Sequence, residues 1–286
     1  RWITEELISI GKERAAGWGW PNIYTYTKAL GEQAIASTPG LDWAIVRPAI
    51  VESAMSYPFP GWNEGMNTSA PLAWMARKGQ IIYPGSNDLI LDVVPVDFVA
   101  SATIAAAAAL LQGTNERVFQ VAAGDVNPCS MARTVHLVGI YRKRRIVERR
   151  ESDELPAWKA ALTQWVRPLP RDRKTYERFG APGLKRLVSR ARGALDELEP
   201  ERLGSIGEFV HRAKRSVTEI ESDLDKVIDV FDLFMPFIWE NKYVFSTRNT
   251  RHLFERMSAA DRGLLPFDPQ GLDWRSYWLD IHLPGL

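Results

Sequence analysis

Between Gly40 and about Gln120, short apolar runs of strand length alternate with helical and loop stretches. Trp43-Ala-Ile-Val-Arg-Pro is followed by a loop rich in Pro, Gly and Trp, a short helical stretch, and then Gln80-Ile-Ile-Tyr-Pro-Gly. Val93-Val-Pro-Val-Asp97 leads into an alanine-rich helix, and Arg117-Val-Phe-Gln-Val-Ala122 reads as another buried strand, ended by Gly124 and Asp125. Runs with little polar alternation fit strands covered on both faces, and their alternation with helices predicts a parallel, doubly wound sheet. After about Ile146 the strand signals fade, and charged helical stretches take over. The expected architecture is therefore α/β: the C-terminal part of a Rossmann-like sheet over residues 1–145, then a mainly α-helical domain over 146–286. In the second part, Leu224, Val227, Ile228, Phe231 and Phe234 recur at helical spacing between aspartates, and Pro236 marks a kink or an end.

A chain of 286 residues, 45% of them hydrophobic, can bury one large or two ordinary cores. The single cysteine, Cys129, rules out an intrachain disulfide framework and a multi-cysteine zinc site, and points to a reducing, cytoplasmic setting. The longest apolar run, Phe98 to Leu111, falls short of the roughly 20 residues of a membrane span and reads as a buried helix. The start, Arg1-Trp-Ile-Thr-Glu-Glu, has neither an initiator methionine nor a signal-peptide pattern, so the chain reads as cut from a longer protein.

Gly19-Trp-Pro-Asn-Ile-Tyr24-Thr-Tyr-Thr-Lys28-Ala-Leu-Gly-Glu32 carries the chemistry, with Pro21 and Asn22 as a helix start. At i and i+4, Tyr24 and Lys28 share a helix face. A neighbouring ammonium favours the phenolate form, and such a phenol can give its proton to a carbonyl oxygen that gains negative charge as hydride arrives. By spacing alone Tyr-x-x-x-Lys more often marks two helix-surface residues, so the flanking residues decide. They resemble the active-site helix of the short-chain dehydrogenase/reductase superfamily, in its fatty acyl-CoA reductase (male-sterility) branch. Val46-Arg-Pro-Ala-Ile-Val-Glu-Ser-Ala54, Pro58-Phe-Pro-Gly-Trp62, Asp92-Val-Val-Pro-Val-Asp97, Phe234-Met-Pro-Phe-Ile-Trp-Glu-Asn241 and Asp273-Trp-Arg-Ser-Tyr277 resemble further blocks of that family, in the same order.

The resemblance implies reduction of a long-chain acyl-CoA by NADPH to the aldehyde and onward to the alcohol, the chemistry of wax-ester and fatty-alcohol synthesis. Tyr24 is then the proton donor and Lys28 its activator and the contact for the nicotinamide ribose. Pro48, Ala49, Ile50 and Val51 present backbone to the nicotinamide. The family's glycine-rich phosphate turn and its catalytic Ser or Thr have no counterpart here and are expected upstream of Arg1, so the fragment alone is expected to be inactive. Tyr57 stands where an acidic residue is expected. The alternatives are a thioester reductase acting on carrier-bound acyl groups and a non-catalytic fragment.

Other candidates have plainer readings. Cys129 as an acyl-carrying nucleophile competes with a packing role. His136, His211, His252 and His282 lack metal-ligand spacing, so no metal is expected. Trp62, Trp74, Phe237 and Trp239 are candidates for an acyl tunnel or for ordinary packing. Arg142 to Arg215 holds 20 Lys/Arg against 11 Asp/Glu, although the whole chain carries a net charge of only +1. That stretch is a solvated helical face, a patch for CoA phosphates or an acidic carrier protein, or a peripheral contact with an anionic membrane. The densest cluster is Arg142–Arg145 with Arg149 and Arg150. A nucleic-acid partner is not expected, because no recognised binding module accompanies the charge.

Overall fold

The computed structural model describes residues 2–64, 82–151, 168–197 and 207–286. In chain order the main elements are α1 (Trp2–Gly17), α2 (Ile23–Ala36), β1 (Ile45–Pro48), β2 (Ile50–Glu52), β3 (Ile82–Pro84), β4 (Val93–Pro95), α3 (Val96–Leu111), β5 (Val118–Val121), α4 (Met131–Glu151), β6 (Leu169–Arg171), α5 (Arg173–Phe179), α6 (Ala181–Asp196), α7 (Gly207–Met235), α8 (Arg248–Glu255) and α9 (Ala259–Leu264). The residues fall into two compact units. One comprises Arg1–Pro60, Asp92–Pro128 and Tyr243–Leu272, and the other Gly61–Leu91, Cys129–Lys242 and Asp273–Leu286.

The first unit holds two parallel ladders. β1 pairs with β5, Ile45 opposite Val118 through Pro48 opposite Val121. β2 pairs with β4, Ile50 opposite Val93 through Glu52 opposite Pro95. The chain bends at Ala49, where it changes partner: Ala49 N–H donates to the Val121 carbonyl at 2.8 Å and Ile50 N–H to the Asp92 carbonyl at 3.0 Å. α3 buries Phe98, Ser101, Ala102, Ala105, Ala106 and Ala109, a stripe of mostly small side chains that lets the helix backbone lie close to the strands. Phe98 meets Phe267 edge-on at 5.6 Å, and Phe267 stacks on Phe254 at 4.7 Å. The segment after Tyr243 is latched to this sheet. Thr247 donates its N–H to Asp125 at 2.8 Å, and the Asn249 amide donates to the Val118 carbonyl at 3.0 Å.

Two carboxylates bracket β4. Asp92 accepts the N–H groups of Ala123 and Gly124 at 2.8 and 3.0 Å, just past the end of β5. Asp97, in the first turn of α3, accepts the N–H groups of Met55, Ser56 and Tyr57 at 2.8, 2.9 and 3.1 Å, together with the Ser56 hydroxyl. Burial raises the Asp92 carboxyl above the usual carboxylate range, against the lowering pull of its two backbone donors.

The second unit is mainly helical, with one parallel ladder between β3 and β6. Its core gathers Tyr83, Leu89, Met131, Val135, Tyr176 and the stripe Leu224, Val227 and Phe231, with Ile228 and Phe234 packed against it. α7 gives way at Pro236 to a π-helical turn, Pro236–Glu240. At the C-terminus Trp274, Tyr277, Trp278 and His282 are fully buried, with the His282 ring stacked on Tyr277 and edge-on to Trp278. Gly61, at φ +87°, lies so close to this segment that an added Cβ would stand 2.8 Å from the Ile281 carbonyl oxygen.

Replacing Asp97 with Ala orphans three backbone donors, and chemical denaturation should show a loss of about 2–4 kcal/mol. Burial holds His282 neutral, its pKa lowered from 6.5 to about 4. The unfolded chain therefore takes up a proton that the folded chain refuses as the pH falls through that window, and stability is lost from pH 6.5 downward. Unfolding measured across this range should show that decline, and His282→Phe should flatten it.

Candidate functional site

The sequence-derived pair stands on α2. Asn22 caps the helix, accepting the Thr25 N–H at 2.8 Å and the Thr25 hydroxyl at 2.9 Å, and so fixes the first turn in which Tyr24 lies. Tyr24 is 69% exposed, and the Lys28 ammonium sits over its ring, 5.5 Å from the centroid. α2 buries no side chain. The phenol and the ammonium thus face outward together, as groups that meet a ligand must.

The other predicted contacts lie on the bent strand. Pro48 closes β1, Ala49 occupies the bend, and Ile50 and Val51 run into β2. Arg47 and Glu32 join this strand to α2. Arg47 Nε lies 2.9 and 3.1 Å from the two Glu32 carboxylate oxygens, with Nη2 on the second of them. The hydrogen bond to Glu32 raises the Arg47 pKa beyond its ordinary value. Sequence reasoning quoted both residues without giving either a role. The available signal was that Glu32 follows Lys28 by one helical turn, so Tyr24, Lys28 and Glu32 share a face.

Cys129 is buried, its sulfur 3.4 Å from the Thr134 hydroxyl, and burial pushes its thiol pKa up, away from the thiolate a nucleophile needs. Trp239 packs against the helical unit's core and donates its indole N–H to Met235 sulfur, with Phe237 and Trp62 half-buried in the same unit. Trp74 lies outside the described residues. Two shallow depressions, of about 440 and 420 Å³, are lined by Ile140, Lys143, Arg144, Val147 and Glu148 and by Glu116, Arg248, Asn249, Arg251, His252 and Glu255, none of them a tunnel candidate. His252 lies 3.3 Å from Glu116. Within the basic stretch Arg144 pairs with Asp280, Arg145 with Glu148, Arg173 with Glu177, Lys185 with Asp225 and Arg192 with Glu221. Among the described residues no group of three or more His, Cys, Asp or Glu is placed to hold a metal ion, and no helix is long and apolar enough to cross a membrane.

Residues 4–103 match an NAD-binding family profile described as male sterility protein, and residues 205–286 match a second domain of the same description. The chain belongs to the male sterility protein family. It is 27% identical to fatty acyl-CoA reductase 8 of Arabidopsis thaliana over 99% of the chain and 55% of that relative. The alcohol-forming fatty acyl-CoA reductase of Simmondsia chinensis is 26% identical over the same shares. Fatty acyl-CoA reductase 2 of Homo sapiens is 26% identical over 90% of the chain and 45% of the relative. This male sterility family chain spans about half the length of the curated relatives it matches. Its NAD-binding match contains most of α1 and all of α2, β1, β2, β3 and β4, and with them Tyr24, Lys28 and Pro48–Val51. In the family protein Cys129→Ala should leave turnover unchanged, measured as specific activity of material whose folding is verified by circular dichroism.

Proposed function

We propose that the full-length protein reduces long-chain acyl-CoA thioesters through the aldehyde to the alcohol, using NADPH, and that Tyr24 is the proton donor. The observation that carries this reading is the Tyr24–Lys28 pair on an exposed face of a capped helix, inside the NAD-binding match. We further infer that the parallel ladders of the first unit belong to a Rossmann-like, doubly wound sheet.

The exposed groups fit the nicotinamide–ribose half of such a cofactor: an ammonium for ribose hydroxyls, a phenol for a carbonyl oxygen, and a bent strand with the small side chain of Ala49 at its turn. In this reading Lys28 holds the ribose hydroxyls, and the backbone of Pro48 to Val51 lies along the nicotinamide. The sequence offers no glycine-rich turn for the pyrophosphate, so no residue here is assigned to it. When bound, one NADPH would supply hydride to the thioester carbonyl carbon, the resulting hemithioacetal would release CoA thiol as its C–S bond breaks to give the aldehyde, and a second NADPH would supply the hydride that takes the aldehyde to the alcohol. The negative charge that develops on the carbonyl oxygen is met by the Tyr24 phenol, which gives up its proton there, while the Lys28 ammonium stabilises the phenolate left behind.

Tyr24→Phe keeps the ring under the Lys28 ammonium and removes only the proton. In the full-length protein it should lower kcat for palmitoyl-CoA-dependent NADPH oxidation by about a hundredfold or more, with unchanged thermal unfolding. Wild-type turnover in this variant would remove Tyr24 from the mechanism, and gas chromatography of the products decides whether hexadecanal or hexadecanol accumulates.

A further inference from the structure

We infer that the Glu32–Arg47 ion pair is a positioning device, which sets the Tyr24–Lys28 face of α2 against the strand end Pro48–Val51. The inference rests on the reading of Tyr24 as proton donor and adds two residues that touch neither substrate nor cofactor in it. Three observations carry it. Within this chain α2 carries no fully buried side chain, and Ile23, Tyr26, Ala29 and Glu32 are half-buried. Its N-terminal end leans on α1, where the Ile23 side chain fills the space beside Gly11, and Asn22 caps it. Further along the helix, Glu32 and Arg47 join it to β1 through a forked contact, Nε and Nη2 of one guanidinium on both oxygens of one carboxylate.

The placement of the pair matters as much as its geometry. Glu32 follows Tyr24 by two helical turns on the same face, and Arg47 directly precedes Pro48. A planar fork fixes rotation as well as separation, which a lysine in the same place does not. Both partners are partly exposed, the side chains 45% and 28% accessible, so the pair adds little to global stability. Its leverage is on catalysis, because a displacement of about 1 Å in a reacting group can cost about a hundredfold in rate.

The test uses the full-length protein, palmitoyl-CoA and NADPH, with the variants Glu32→Gln, Arg47→Gln and the exchange Glu32→Arg/Arg47→Glu. In each single variant kcat should fall at least about tenfold while the KM for palmitoyl-CoA stays within about twofold. The isotope effect with 4-deuterated NADPH should rise as hydride transfer becomes limiting, and amide hydrogen exchange across residues 23–36 should accelerate. The exchanged pair should recover most of the rate and the protection. Unchanged kcat per folded molecule in both single variants, or no recovery in the exchanged pair, would overturn the inference. If the wild type shows no thioester-dependent oxidation, or Tyr24→Phe turns over normally, the proton-donor reading fails on its own account. Hydrogen exchange then decides the hold on α2 independently: acceleration in the single variants, reversed in the exchanged pair, sustains it, and unchanged exchange overturns it.

Discussion

Asp92 joins three segments of the sheet unit at one point. Its carbonyl accepts the Ile50 N–H where the strand leaves the bend at Ala49, and its carboxylate accepts the N–H groups of Ala123 and Gly124 where β5 ends. The strand from Ile45 to Glu52 can pass from β5 to β4 only if something supplies acceptors for the backbone donors that neither ladder takes up. A short carboxylate does so with two hydrogen bonds to one oxygen. The cost is visible in the raised pKa of the buried carboxyl, so the junction holds by hydrogen bonding against an opposing desolvation.

The same economy of means governs the loop after β2. No regular structure covers residues 53–57, yet three of their backbone donors converge on Asp97. In parallel α/β sheets ligands gather beyond the carboxyl ends of strands, and β2 and β5 end in segments held by Asp97 and Asp92 respectively. The scaffold thus fixes its strand ends from β4 and the start of α3, while α2 meets α1 through Ile23 beside Gly11 and β1 through the Glu32–Arg47 pair.

Much of this was legible in the sequence, because it is written in local pattern. The apolar runs at Trp43–Pro48, Val93–Asp97 and Arg117–Ala122 contain β1, β4 and β5, the alanine-rich run is the half-buried α3, and the stripe from Leu224 to Phe234 lies in the helical core. Tyr24 and Lys28 were legible for the same reason: i and i+4 on a helix are neighbours whatever the tertiary fold. The contacts of Glu32, Arg47, Asp92 and Asp97 were not legible. Asp97 meets partners about forty residues earlier in the chain and Asp92 about thirty later, and which carboxylate faces which donor is set by strand register, not by spacing along the sequence. Tyr243–Leu272 likewise carries no strand signal of its own, and it belongs to the sheet unit through the side chains of Asp125 and Asn249 and the stacked phenylalanines.

The charge imbalance between Arg142 and Arg215 shows how a linear window can misstate a surface. Lys185 and Arg192 on α6 face Asp225 and Glu221 on α7, and Arg144 reaches Asp280, all three acids lying beyond the basic stretch that defines the excess. Arg145 and Arg173 are paired within their own helices. Contacts of this kind add little energy at an exposed site. Those of Lys185 and Arg192 run alongside the Leu224, Val227 and Phe231 core and join α6 to α7 on its exposed side. A surface that is strongly basic in sequence is thereby partly neutralised by folding, and the field it offers to a phosphate or a carrier is that of the residual charges, not of the whole stretch.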